Sequence, residues 1–162
     1  MADEPMAPER IVEVLRASPK KIATITSPLS SGLLRESPAA GEWSAVEVLA
    51  HLRSCADVWG ESIATILDTD HPTIRAVSPR SYFHQTDYTE REFAPSLRQY
   101  ARQRKDLVAT LVSLPPKSWT RDATVVGAGA PYPRSIQNFG DRMARHERVH
   151  WKQFEQIVDL LT

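Results

Sequence analysis

Apolar residues recur along this chain at steps of three and four, and prolines cut the stripes into segments. Proline falls at 5, 8, 19, 28, 38, 72, 79, 95, 115, 116, 131 and 133, so 39–71, 96–114 and everything after Pro133 are free of it. Each of those windows is long enough for a substantial helix. In the first, Ser44-Ala45-Val46-Glu47 has the form of a capping box, the serine accepting from the third backbone N–H and the glutamate reaching back. Val48, Leu49, Leu52, Cys55, Ala56, Trp59, Ile63 and Ile66 follow at helical spacing. The second opens on Thr89-Glu90-Arg91-Glu92, again of capping-box form, and continues through Phe93, Leu97, Tyr100, Leu107, Leu111 and Leu114. Pro95 falls in the first turn and a half, where a missing N–H is tolerated. The third runs from near Ser135 to about Leu161, with the stripe Ile136, Phe139, Met143, His146, His150, Phe154, Ile157 and Leu161. Its steps are those of a bundle seam.

A fourth helical segment lies near the N-terminus, with Ile11, Val12 and Leu15 on one face and Ile22 and Ile25 continuing it. Ser18-Pro19 reads there as an N-cap followed by proline at a first helical position, which predicts a break or kink. Four apolar stripes and no convincing strand run predict an all-α fold, a four-helix bundle. The segments 67–88 and 115–134 are too long for simple bundle turns and are expected to cover one end.

Length and composition fit a single domain spanning 1–162. The chain is 41% hydrophobic and 25% charged, ordinary values for a globular protein. Lys plus Arg equals Asp plus Glu at 20 each, so the basic excess of a nucleic-acid binder is missing. The single cysteine, Cys55, rules out an intramolecular disulfide and a multi-cysteine zinc site, and fits a reducing compartment. The acidic, proline-bearing start is unlike a signal peptide, and no apolar run approaches a membrane span of roughly 20 residues. The expected location is the cytoplasm.

The strongest chemical signal is Arg145-His146-Glu147-Arg148-Val149-His150. Histidines at i and i+4 share one helix face and can chelate one ion. Both also occupy the stripe that should face the core, where a metal would satisfy their polar atoms. A third ligand should come from a neighbouring helix, and His51, at the edge of the stripe that carries Cys55, is the candidate. His71 and His84 fall in the proline-bearing excursion and read as loop residues, His84 with a minor claim as an extra ligand. The six residues also contain H-E-x-x-H, but a zinc protease of that kind takes its third ligand downstream. Only 12 residues follow His150, and none is histidine. Glu147 therefore reads as a solvated helix-face charge.

Taken together, Glu42-Trp43-Ser44 with Glu47 and His51-Leu52, then Trp119-Thr120-Arg121, then His146-x-x-x-His150 with Gln153 and Ile157, resemble the DinB-like (YfiT-like) four-helix-bundle metalloproteins. The resemblance spans roughly residues 8 to 161. It implies that a divalent metal is held by one histidine of the second helix and two of the last, which by motif position are His51, His146 and His150. It also implies, from members whose activity is known, thiol-dependent transferases and isomerases that use low-molecular-weight thiols such as mycothiol or bacillithiol. Many other members have no assigned activity.

Three imidazoles leave coordination positions open, and such a site can acidify a bound water or hold a thiol as thiolate. That leaves three readings standing. One is a metal-dependent thiol transferase or hydrolase acting on a small molecule, another a metal-containing binding module without catalysis, the third a bundle whose histidines only hydrogen-bond. Zinc and nickel both suit imidazole ligands. Arg104 stands among the apolar steps of the third helix, either paired with a core-edge carboxylate or positioned to bind an anionic substrate. Glu47, one turn before His51, is explained by its capping box, with orientation of His51 as a second role. Cys55 reads as a small buried apolar residue, and the four tryptophans as core and loop anchors. The helices have enough surface to pair as a homodimer.

Overall fold

The computed structural model describes residues 4–162. Six helices run in the order α1 (Pro8–Thr26), α2 (Ser31–Leu34), α3 (Ala45–Asp68), α4 (Pro79–Phe83), α5 (Phe93–Val112) and α6 (Ile136–Leu161). The four long ones, α1, α3, α5 and α6, form a bundle in which α1 and α3 each pack mainly against both α5 and α6. The first two long helices thus stand on opposite corners rather than side by side. At one close approach of α1 and α6, a Cβ on Gly140 would lie 2.9 Å from Ile11 Cγ2, so the glycine sets how near the two axes come.

Local chemistry accounts for the ends of these helices, with two corrections to the sequence reading. Ser44 and Glu47 form the expected reciprocal capping box at α3, and Ser135 with Asn138 does the same for α6. Thr89-Glu90-Arg91-Glu92, by contrast, caps nothing. Residues 88–90 make a 3-10 turn and α5 begins at Phe93. Had the helix begun with that box, the missing N–H of Pro95 would have broken an interior bond; beginning at Phe93, it falls among the donors that have no helical partner anyway. Arg35 collects the carbonyls of Thr89, Glu90 and Arg91 that the turn leaves outward. The expected break at Ser18-Pro19 is also absent: α1 is one helix with Pro19 inside it. Ile11, Leu15 and Ile22 keep a single buried stripe across the proline, and that packing outweighs one lost backbone bond.

The segments 67–88 and 115–134 are not merely loops. They contribute β1 (Thr73–Arg75), β2 (Asp122–Val126) and β3 (Tyr132–Ser135), a small sheet in the order β1-β2-β3. β1 runs parallel to β2 with Thr73 opposite Thr124, and β3 runs antiparallel to β2 with Asp122 opposite Ser135. Ala123 and Val125 turn inward from the central strand and join the apolar core. Pro133 is accommodated because β3 is an edge.

Two apolar clusters fill the bundle. One gathers Ile11, Leu15, Ile63, Leu111, Ile136 and Met143 beside the sheet. The other gathers Ile22, Val48, Leu49, Phe93, Tyr100 and Phe154 at the opposite end. Along each long helix the residues between the two sets are polar: Ser18 on α1, His51 on α3, Arg104 on α5, and His146, Glu147 and His150 on α6. A polar layer therefore crosses the middle of the bundle, and the candidate chemistry lies in it.

Candidate metal centre

α6 presents His146 and His150 one turn apart, and α3 brings His51 against both. The Nε2 atoms of His51 and His146 are 3.0 Å apart, and those of His146 and His150 are also 3.0 Å apart. Ring centroids of the three imidazoles are separated by 4.9, 5.0 and 4.3 Å. The Nδ1–H of His150 donates to Gln153 Oε1 at 2.7 Å, which leaves its Nε2 a lone pair facing His146 Nε2. A neutral imidazole has one N–H, so the three converging nitrogens cannot all be satisfied by one another. At most one hydrogen sits between each pair, and His146 Nε2 is shared by both contacts. A cation among them would satisfy all three at once, so the donor set fits a metal ion.

Cys55 Sγ lies 3.7 Å from His51 Nε2 and 4.0 Å from His51 Nδ1, and with His51 and His146 it makes a compact group of donor atoms. Proximity is not convergence here. A sulfur sharing an ion with Nε2 would sit beyond that atom, roughly 5 Å from Nδ1 given ordinary Zn–N and Zn–S bond lengths. Near-equal distances to both ring nitrogens place the thiol alongside the imidazole instead. Burial pushes its pKa up to about 12, as befits a small core residue.

Two indoles wall the histidines. Trp43 lies 5.2 Å from the His51 ring and Trp59 lies 5.2 Å from the His146 ring, centroid to centroid. Phe83 of α4 stacks on Trp43, and the guanidinium of Arg80 on the same short helix lies over that indole, with Cζ 5.7 Å from the ring centroid. Beyond Trp59 opens a cleft of about 930 Å³, lined by α3, α6 and the sheet. The cleft does not reach the imidazoles; Trp59 is the wall they share.

A sequence profile of the DinB superfamily matches residues 15–154. The chain belongs to the DinB superfamily. Among solved structures, YfiT from Bacillus subtilis superposes with a TM-score of 0.83 at 15% identity, covering 98% of this chain and 91% of that one. YfiT is described as a probable metal-dependent hydrolase with an unusual four-helix bundle topology. At this identity the likeness establishes a shared fold. No curated protein matches the sequence.

Within this DinB-superfamily bundle, Glu147 stands elsewhere than the sequence reading put it, while Arg104 takes the first of its two expected roles, paired with a carboxylate. Glu147 is no solvated charge: it is 1% exposed, and its carboxylate accepts from Arg104 Nε at 2.8 Å and from the hydroxyls of Ser18 and Tyr100. Arg104 is equally buried and its third nitrogen, Nη1, donates to Gln103 Oε1, so every guanidinium nitrogen is already engaged inside the bundle. Both the H-E-x-x-H base and the anion-binding arginine are thereby removed from the chemistry. Trp151 turns away from the histidines, its Nε1 donating to Ser18 Oγ at 2.9 Å. Glu47 bonds Ser44 and serves as a cap. His71 is exposed beside Asp122, and His84 packs on Phe83; neither joins the cluster. Gln153, Trp43 and Trp59 are the participants that sequence reasoning did not assign to the site. Only Gln153, three residues after His150, carried a spacing signal.

Burial lowers all three imidazole pKa values from 6.5, with the neighbouring histidines adding to the shift for His51 and His146. His51 falls to about 4 and His146 to about 3, while for His150 the Gln153 bond partly opposes the decrease. The rings are therefore neutral at physiological pH, and protons do not compete for the lone pairs. The unfolded chain protonates His51 and His146 from about pH 6.5 downward, and the folded chain does so only near 4 and 3 respectively. Across that window the unfolded state holds more protons, so stability must fall as pH falls. Urea midpoints of metal-free protein at pH 7, 5 and 4 are expected to decrease in that order. A midpoint constant from pH 7 to 4 would refute the assignment.

Proposed function

We propose that this protein is a metal-dependent hydrolase acting on a small molecule, with a divalent ion held by the Nε2 atoms of His51, His146 and His150. The observation that carries this reading is the convergence of three neutral imidazole nitrogens that cannot satisfy one another. When bound, the ion supplies Lewis acidity, bringing the pKa of a coordinated water toward neutrality and polarising an acyl oxygen. The chain's part is positional. Gln153 fixes the tautomer and ring plane of His150, and Trp43 and Trp59 keep bulk water off the imidazole cluster. Cys55 stands beside His51 rather than in a ligand position, which leaves the open face that a hydrolytic site requires. A cleft of about 930 Å³ lies across Trp59 from the centre, with room for a small molecule beside it. An all-imidazole set suits zinc and nickel alike.

The test is reconstitution of chelator-treated protein with zinc or nickel, measuring metal per chain by mass spectrometry and then hydrolysis of a panel of amides and esters. About one ion per chain is expected, with hydrolysis that disappears on chelation and returns on reloading. Failure to retain either ion would end this reading. Retained metal with turnover only of thiol and electrophile pairs would replace hydrolysis by thiol transfer at the same centre.

A further inference from the structure

Arg142 lies on α6 one turn before His146, and its Cζ sits 5.4 Å from the ring of Trp59, the indole that touches His146. Arg134, on β3, lies nearby, its Cζ 5.1 Å from the Tyr132 ring and 5.3 Å from the Phe139 ring. Both guanidiniums line the cleft beside the metal centre, with Arg75 on the sheet side. Among the described residues neither Arg134 nor Arg142 makes an ion pair, whereas Arg104 is paired with Glu147 and Arg145 with Asp141. Two carboxylates also line the cleft. Asp57 accepts from the hydroxyls of Tyr82 and Tyr88, and Glu61 is exposed; neither reaches a guanidinium. Burial, with a smaller contribution from Arg142, holds the half-buried Arg134 below the usual arginine pKa. Two guanidiniums on aromatic faces of one cleft, neither in an ion pair, form an arrangement that an anion would complete.

We infer that Arg134 and Arg142 form a subsite for a carboxylate or phosphate group of the substrate, on the cleft side of Trp59, the indole wall between the cleft and the three histidines. The substrate class is thus a small anionic molecule. Forked guanidinium donors suit either oxyanion, and the aromatic faces beneath them suit an apolar stem. The subsite itself needs no metal; only its role in presenting a reacting bond rests on the proposed function above.

Isothermal titration with succinate, inorganic phosphate and the neutral isostere succinamide tests it, on metal-free and on zinc-loaded protein. Saturable binding of succinate or phosphate to the metal-free protein is expected, with no binding of succinamide, and whichever anion binds tighter identifies the group. Arg142→Gln and Arg134→Gln should each weaken that binding about tenfold. Arg142 is exposed on its helix, so its variant has no reason to misfold, and circular dichroism verifies this. His146→Ala should leave anion binding to the metal-free protein intact. Absence of saturable binding, equal binding of succinamide, or indifference to both arginine substitutions overturns the subsite. Anion binding seen only with zinc overturns it too, since the anion would then sit on the metal, while the metal reading survives.

Discussion

Glu147→Ala is expected to be the most damaging single substitution in the bundle, lowering stability by about 3–5 kcal/mol, the range found when one partner of a buried ion pair is removed. The loss corresponds to roughly 6–20 °C in Tm for a chain of this size. The cause is specific. Arg104 is 3% exposed, and its Nε and Nη2 are directed at the Glu147 carboxylate, with the neutral Tyr100 hydroxyl and Gln103 Oε1 as its other acceptors. Without the carboxylate, a guanidinium remains in the middle of the bundle with no counter-charge, and the Ser18 and Tyr100 hydroxyls lose their shared acceptor. Arg104→Met alone should be similarly severe, since it strands the carboxylate instead. The double variant Glu147→Leu, Arg104→Met should recover much of the loss, because two apolar side chains of suitable volume replace the pair without leaving a charge. Urea denaturation of the four proteins checks this. If either single variant unfolds at the wild-type midpoint, the polar layer is not an interlocked network. If the double variant is as poor as the sum of the singles, packing rather than stranded charge is the cause.

That carboxylate also shows where sequence reasoning reaches and where it stops. The four long helices are legible because burial imposes a 3.6-residue period over five or more turns, and the same regularity exposes His146 and His150 as polar residues in an apolar seam. Met143, Glu147, His150 and Phe154 are spaced by four, three and four, so Glu147 also fits the seam. The familiar H-E-x-x-H pattern invites an exposed role for it, whereas the buried Arg104 on α5 supplies the reason it turns inward. Pairing between α5 and α6 depends on which corners of the bundle they occupy, and a periodicity does not carry that information. The strands escape for a different reason: each has only three to five residues, too few for an alternation to register, and Pro133 interrupts β3. The Thr89 box is a correct local motif overruled by Pro95 six residues on. Trp43 and Trp59 look like any core tryptophans until α3 and α6 bring the imidazoles against them.

His146→Ala is expected to reduce bound zinc from about one ion per chain to a small fraction, the largest functional loss of any substitution in the centre. His146 contributes the nitrogen that lies 3.0 Å from both of the others, so its removal leaves His51 and His150 without a shared vertex. Gln153→Ala provides the comparison. It removes no ligand but frees the His150 ring, and loss of such an orienting partner generally weakens metal binding about 10- to 100-fold. Cys55→Ser should leave stoichiometry unchanged, because the thiol lies alongside His51 rather than beyond its Nε2. Mass-spectrometric metal analysis and a competition titration on the three variants rank the side chains directly. The acid response of the metal-free protein gives a second, independent readout. His146 has the most strongly depressed value, about 3, so its removal should make the fall in stability between pH 6.5 and 3 shallower than in wild type. Should His146→Ala keep a full complement of zinc, the ion is held elsewhere and the three-histidine centre is wrong. Should it lose zinc while Cys55→Ser loses it equally, the thiol is a ligand after all, and the open face assigned to substrate is closed by sulfur.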